Sequence, residues 1–178
     1  MHWIAKIVVI SISFFFIAEN PVAIQWKENY KLSWEDFQGI PPKQSSFVAS
    51  TESGIYFSYS TQNTNSTISL TTLVTANFYP KNSWYFPNAV NAVILKHEQG
   101  HFDISEIHAR ELRKKFASYT FSENYKNELQ SMYSETENNR NAMQNKYDIE
   151  TNHSRILEKQ KDWEVFIQKE LYRLKSWK

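Results

Sequence analysis

His97-Glu98-Gln99-Gly100-His101 has the residue types and spacing of the zinc-hydrolase pattern H-E-x-x-H. On a helix, two histidines four residues apart share one face, close enough for both imidazoles to reach a single Zn²⁺. The glutamate between them is then placed to take a proton from a water that the ion has acidified. The plain alternative is a pair of solvent-facing helix histidines. The chain has five histidines and no cysteine, so a metal must be held by His, Asp or Glu, and neither a thiolate site nor a disulfide framework is available.

Two histidines are an incomplete site, because catalytic zinc takes three protein ligands and keeps one position for water. His108 shares the helical face of His97 and His101, but it lies seven residues beyond His101. A rise of 1.5 Å per residue carries it about 10 Å along the axis. No glycine lies between His101 and His108 to break the helix, so the longer H-E-x-x-H-x-x-G-x-x-H arrangement is absent. Glu106 points away from the metal face and suits a bracing role. Asp103 is also off that face, either orienting an imidazole from behind or forming a structural salt bridge. The remaining candidates stand in Tyr147-Asp148-Ile149-Glu150-Thr151-Asn152-His153. On spacing, His153 and Glu150 are equal rivals for the third ligand. Tyr147 is either a donor to the reacting oxyanion or an ordinary packed ring.

These residues need elements to hold them. Residues 88–118 contain no proline and one glycine, and they carry Val90, Val93, Ile94, Ile104, Ile107, Leu112 and Phe116 at helical spacings. This predicts a helix that includes the motif. Further apolar stripes predict helices over 122–146 and 154–175, their apolar faces being core. His153 then falls in the junction between them. Upstream, Val48–Tyr59 alternates apolar and polar residues, and Ser66–Phe78 is rich in Thr, Val, Ile and Leu. Two strands are expected, joined as an antiparallel hairpin through a loop at Gln62–Asn65. Strands first and helices afterwards imply an α+β domain, the metal helix packed beneath a small antiparallel sheet.

The chain's 178 residues suit one domain, and its formal charge of +1 gives no electrostatic footprint for nucleic acid. The apolar run Ile7–Ala18 follows Lys6 and has the length of a signal-peptide core, short of the roughly 20 residues of a membrane span. Residues 1–23 are therefore expected to be a signal peptide, cleaved near Glu19 to Ile24, and 24–178 the working domain outside the cytoplasm. Membrane association would come only through an uncleaved N-terminal segment, and the absence of a cysteine after the run excludes lipoprotein attachment.

Four stretches give the chain a likeness. Leu32-Ser33-Trp34-Glu35-Asp36-Phe37-Gln38-Gly39, then Ser83-Trp84, then His97 through Arg110, and finally Tyr147-Asp148 with Glu150-Thr151 and His153 follow in order. In these the chain resembles the bacterial family known as domain of unknown function 922, described as predicted secreted zinc-dependent proteases. The resemblance implies a zincin-like fold, an envelope or secreted location and a peptidase acting on peptide or protein substrates. It also favours His153 as third ligand, with Ser154 standing where the family's usual glycine follows that histidine. The expected set is thus Zn²⁺ on His97, His101 and His153, with Glu98 as general base. The rival functions are a zinc hydrolase of cell-wall amides and a non-catalytic envelope protein whose zinc ties helices together.

Overall fold

The computed structural model describes residues 23–64 and 67–178, so residues 1–22 of the expected signal peptide lie outside the described residues. In chain order the elements are strands β1 (Ile24–Gln25), β2 (Ala49–Ser50), β3 (Ser53–Thr64), β4 (Thr67–Phe78) and β5 (Trp84–Tyr85), followed by helices α1 (Ala92–Ala117), α2 (Tyr125–Thr151) and α3 (Leu157–Arg173). The class is α+β: a small antiparallel sheet followed by three helices. No helix among the described residues is long and apolar enough to cross a membrane.

β3 and β4 pair antiparallel from Ser53↔Phe78 to Thr64↔Thr67, and β1 adds to the far edge of β4 at Phe78 and Asn77. The ladder continues through Gln62, Asn63 and Thr64, three residues expected in the loop at Gln62–Asn65. Apolar alternation fades beyond Tyr59, but backbone pairing needs no apolar side chain and goes on. β2 and β5 form a separate two-stranded sheet.

α1 begins four residues later than its apolar spacing suggests, because Asn91 caps it. The Asn91 side chain accepts hydrogen bonds from the backbone N–H groups of Val93 and Ile94 at 2.8 and 3.1 Å. The helix lies across the sheet, with Phe102 against Phe78 and Phe116 against Phe57, ring centroids 5.8 and 4.8 Å apart. Every residue from Phe102 to Arg110 is buried, including four that are charged or titratable. Such groups must find partners inside. Asp103 accepts from Trp26 Nε1 at 2.7 Å and from Gln99 Nε2 at 2.8 Å. Glu106 holds both Arg110 and Arg113, at 2.8 and 3.0 Å, which is a fold-bracing role. Arg110 also donates to the Leu171 carbonyl, and its guanidinium lies 5.0 Å from the Trp26 ring centroid. The His108 imidazole donates through Nδ1 to the Ile104 carbonyl at 3.0 Å.

α2 runs to Thr151, five residues past its expected end, and this decides where the site residues stand. Tyr147, Asp148 and Glu150 are helical rather than part of a junction. α3 closes the far side of α1, with Trp163 packed on Tyr147 and with Ile167 and Leu171 buried.

Candidate metal centre

The two motif histidines of α1 point their Nε2 atoms at each other, 3.2 Å apart. α2 brings Asp148 Oδ1 to 3.0 Å from His97 Nε2 and 3.1 Å from His101 Nε2. Three donor atoms therefore make a nearly equilateral triangle. Zinc ligands at ordinary bond lengths around a tetrahedral ion stand about 3.3 Å apart, so the triangle has the dimensions of one face of such a site.

The surrounding amides fix which nitrogen of each ring carries its hydrogen. Gln160 of α3 donates through Nε2 to the Tyr147 hydroxyl at 2.8 Å and to Glu164 at 3.2 Å. That orientation turns its Oε1 towards His97 Nδ1, 3.0 Å away. Gln144 of α2 donates through Nε2 to the His101 carbonyl at 2.9 Å, which turns its Oε1 onto His101 Nδ1. With an ion among the three atoms, both imidazoles would carry hydrogen on Nδ1 and turn the Nε2 lone pair to it, a tautomer assigned from the network. Two lone pairs and a carboxylate oxygen in mutual contact repel one another unless a positive charge sits among them. This donor set fits Zn²⁺, and other divalent ions that favour imidazole and carboxylate satisfy it as well.

Without an ion, protons on the Nε2 atoms supply that positive charge. Burial lowers the proton affinity of His101, but the Asp148 hydrogen bond and the charges of Glu98 and Asp148 outweigh it and raise the pKa. Burial pushes Asp148 up, yet hydrogen bonds from His101 and His97 hold it well below the ordinary carboxylate range. The cluster attracts a cation.

Glu98 is buried at 4 % exposure, lines the same cleft, and its Oε2 has no hydrogen-bond partner among the described residues. A buried carboxylate oxygen left without a donor is costly, and its natural partner is a water or substrate proton. His153 stands at the rim, its Nδ1 3.4 Å from Asp148 Oδ1 and its ring 4.5 Å from that of Phe47. Glu150, the rival on spacing, faces α3 and accepts from Trp163 Nε1 at 2.8 Å. Tyr147 is fully buried and packs on the His97 ring at 4.4 Å, its hydroxyl donating to the His97 carbonyl. Burial raises its pKa strongly, and the ring is a support rather than an oxyanion donor.

Asp148 is the site residue that spacing arguments passed over. Residues 147–153 look like a junction, and only once α2 is carried through them do Gln144, Tyr147, Asp148 and Thr151 share an inward face. The chain then reverses through Asn152, His153 and Ser154, all left-handed with φ of 47°, 52° and 68°. Three such residues in succession are strained. The bend brings His153 and Arg155 back onto the cleft.

That cleft, of about 470 Å³, is walled by residues 46–53 and floored by the histidines, Glu98 and Asp148. The wall includes β2. Phe86 N–H donates to the Val48 carbonyl at 2.8 Å. By the alternation of an antiparallel ladder, Val48 and Ser50 turn their polar groups to β5, and Ala49 turns its N–H and C=O away from it. Among the described residues neither Ala49 group has a protein hydrogen-bond partner. β4 does not border the site: β3 lies between β4 and the histidines, through Ser53 and Ser105 at 2.9 Å. The outer edge of β3 is covered by α2, where Ile55 donates to Glu137 and accepts from Tyr133.

No curated protein and no solved structure matches the chain. A family model does, over residues 38–154, a span that holds the motif, Asp148 and His153. The chain belongs to the family described as "Bacterial protein of unknown function (DUF922)".

Proposed function

We propose that this protein is a secreted zinc-dependent hydrolase of peptide bonds, zincin-like in its use of H-E-x-x-H. The observation that carries the reading is the convergence of His97 Nε2, His101 Nε2 and Asp148 Oδ1 beside a buried, unpartnered Glu98 carboxylate. His97, His101 and Asp148 hold the ion, and His153 is the further imidazole within reach of Asp148. A bound Zn²⁺ would supply Lewis acidity, polarising a carbonyl and lowering the pKa of water towards 7. Glu98 accepts the proton released as water attacks the scissile carbon, and returns it to the departing amine. Gln160 and Gln144 keep the two imidazoles in the donor tautomer throughout. Ala49 offers an extended substrate one backbone donor and one acceptor. The export of the chain rests on the Ile7–Ala18 run.

One observation favours a second reading. With His153 added to the other three, the protein would supply four ligands and leave no open position, as in a structural zinc site. Metal content and hydrolysis of a mixed panel of peptides and cell-wall amides, followed in parallel, separate the two. The hydrolase reading expects about one zinc per chain, lost in His97→Ala and Asp148→Ala, and Glu98→Gln that keeps zinc but not turnover. Zinc lost in His153→Ala but kept in Asp148→Ala would move the third position to His153. Zinc lost in both, with no panel member cleaved by the wild type, would favour the structural reading.

A further inference from the structure

We infer that the cleft reads charge along its substrate, taking a carboxylate on the C-terminal side of the scissile bond at Arg155 and a cationic group on the N-terminal side at Glu52. This rests on the hydrolase reading above and adds the class of substrate: short peptides or peptide segments with a positive leading end and a negative trailing end.

The wall from Ser46 to Ser53 passes over the whole metal centre. Near one end Phe47 packs on His153, and near the other the Thr51 hydroxyl donates to the Glu98 carbonyl at 3.3 Å. Arg155 stands at the Ser46 end, where its Nη2 donates to the Ser46 carbonyl at 3.4 Å. Glu52 stands at the opposite end, its backbone N–H fixed by the Ser83 hydroxyl at 2.9 Å. Both side chains belong to exposed residues that line the cleft, and neither forms an ion pair among the described residues. The other arginine of the cleft is not free: Arg140 is held by both oxygens of Glu137 at 2.9–3.1 Å.

Ala49 turns its N–H and C=O the same way; an antiparallel neighbour satisfies both with a single residue where a parallel one needs two, and the antiparallel sense is the one taken here. A peptide paired in that sense runs from the Glu52 end to the Arg155 end, N-terminus to C-terminus. Its own polarity then matches the two unpaired charges, amine towards Glu52 and carboxylate towards Arg155. The wall is strand only at Ala49–Ser50, and a hexapeptide at about 3.3 Å per residue reaches about 20 Å over the two sides of that pairing taken together. Basic and acidic side chains at the two ends would serve as well as the termini, and guanidinium is suited to either kind of carboxylate.

The test uses the zinc-loaded full chain with Glu98→Gln, so that binding is read without turnover. Two hexapeptides of identical core are compared, one with Lys first and Glu last and one reversed, each with free and with capped ends. Lys-first binding about tenfold tighter, falling with salt, is expected of two complementary contacts. The double variant Glu52→Lys/Arg155→Glu should invert the order, and Arg155→Gln alone should erase the part due to the last residue. Affinity lost equally by both peptides on capping assigns the contacts to the termini, and a Lys-first preference kept on capping assigns them to side chains. Equal binding of the two peptides with no loss on capping, or affinities that the double variant leaves unchanged, overturns the inference. A charge preference in a protein whose wild type cleaves neither peptide would sink the hydrolase reading alone.

Discussion

A Cβ at Gly100 would stand 2.5 Å from the Tyr147 hydroxyl and 2.8 Å from the ring carbon that bears it, so the motif glycine and the α2 tyrosine share a space that only hydrogen leaves open. This closeness lets Tyr147 pack on His97 and bond its carbonyl. Gly100→Ala should therefore lower stability by about 1–3 kcal/mol through overpacking, against a gain of about 1 kcal/mol in helix propensity, and should weaken zinc binding by displacing Tyr147. Thermal unfolding and chelator competition check it. A variant as stable as wild type, with unchanged zinc affinity, would show that the tyrosine yields without cost.

Gln160 is the acceptor that keeps hydrogen on His97 Nδ1. Gln160→Leu should reduce zinc affinity about 10- to 100-fold, the usual effect of losing a partner behind a ligand. Gln160→Glu should restore the affinity, because a carboxylate oxygen accepts the same bond. Zinc affinity measured for both variants is the check, and equal losses in the two would mean that Gln160 acts only by packing.

How far the site could be read from the sequence depended on the period of the pattern. His97, Glu98 and His101 announce themselves, because four-residue spacing is a property of any helix. The α+β class followed from strand alternation before helical spacing. Asp148 did not announce itself: α2 is polar on most of its length, so its end could not be located from apolar residues. Its true stop is a left-handed turn of non-glycine residues, which carries no composition signal. Gln160 and Gln144 were equally silent, since an inward-facing glutamine on a polar helix looks like a solvated one.

That turn carries strain that can be relieved. Ser154 has φ 68°, a conformation that costs a non-glycine residue about 1–2 kcal/mol. Glycine adopts it freely, while giving back up to about 1 kcal/mol through the entropy of the unfolded chain. Ser154→Gly should accordingly stabilise the protein by up to about 1 kcal/mol in denaturant unfolding. A clear loss of stability would mean that the serine side chain contributes more than the backbone costs.

His108 predicts an acid sensitivity unrelated to the metal. Burial lowers its pKa below 6.5, only partly offset by the Ile104 carbonyl. The unfolded chain therefore binds more protons than the folded one between that lowered pKa and 6.5, so stability rises with pH through this window and falls on acidification. Its share of the slope is at most about 1.4 kcal/mol per pH unit, the one-proton limit. His108→Gln should remove that share and leave stability above pH 7 to change only through packing. Unfolding curves for both proteins from pH 5 to 8 decide it, and parallel pH profiles would exclude His108 as a source.

Gln160 lies on α3, beyond residue 154 where the family match ends. Trp26, the partner of Asp103, lies before residue 38 where it begins. A fragment cut to the matched boundaries would keep every residue of the motif and lose the groups that orient and seat it. Recognition by likeness and competence to bind a metal thus have different borders in this chain, and a truncated fragment that failed to take up zinc would say nothing against the intact protein.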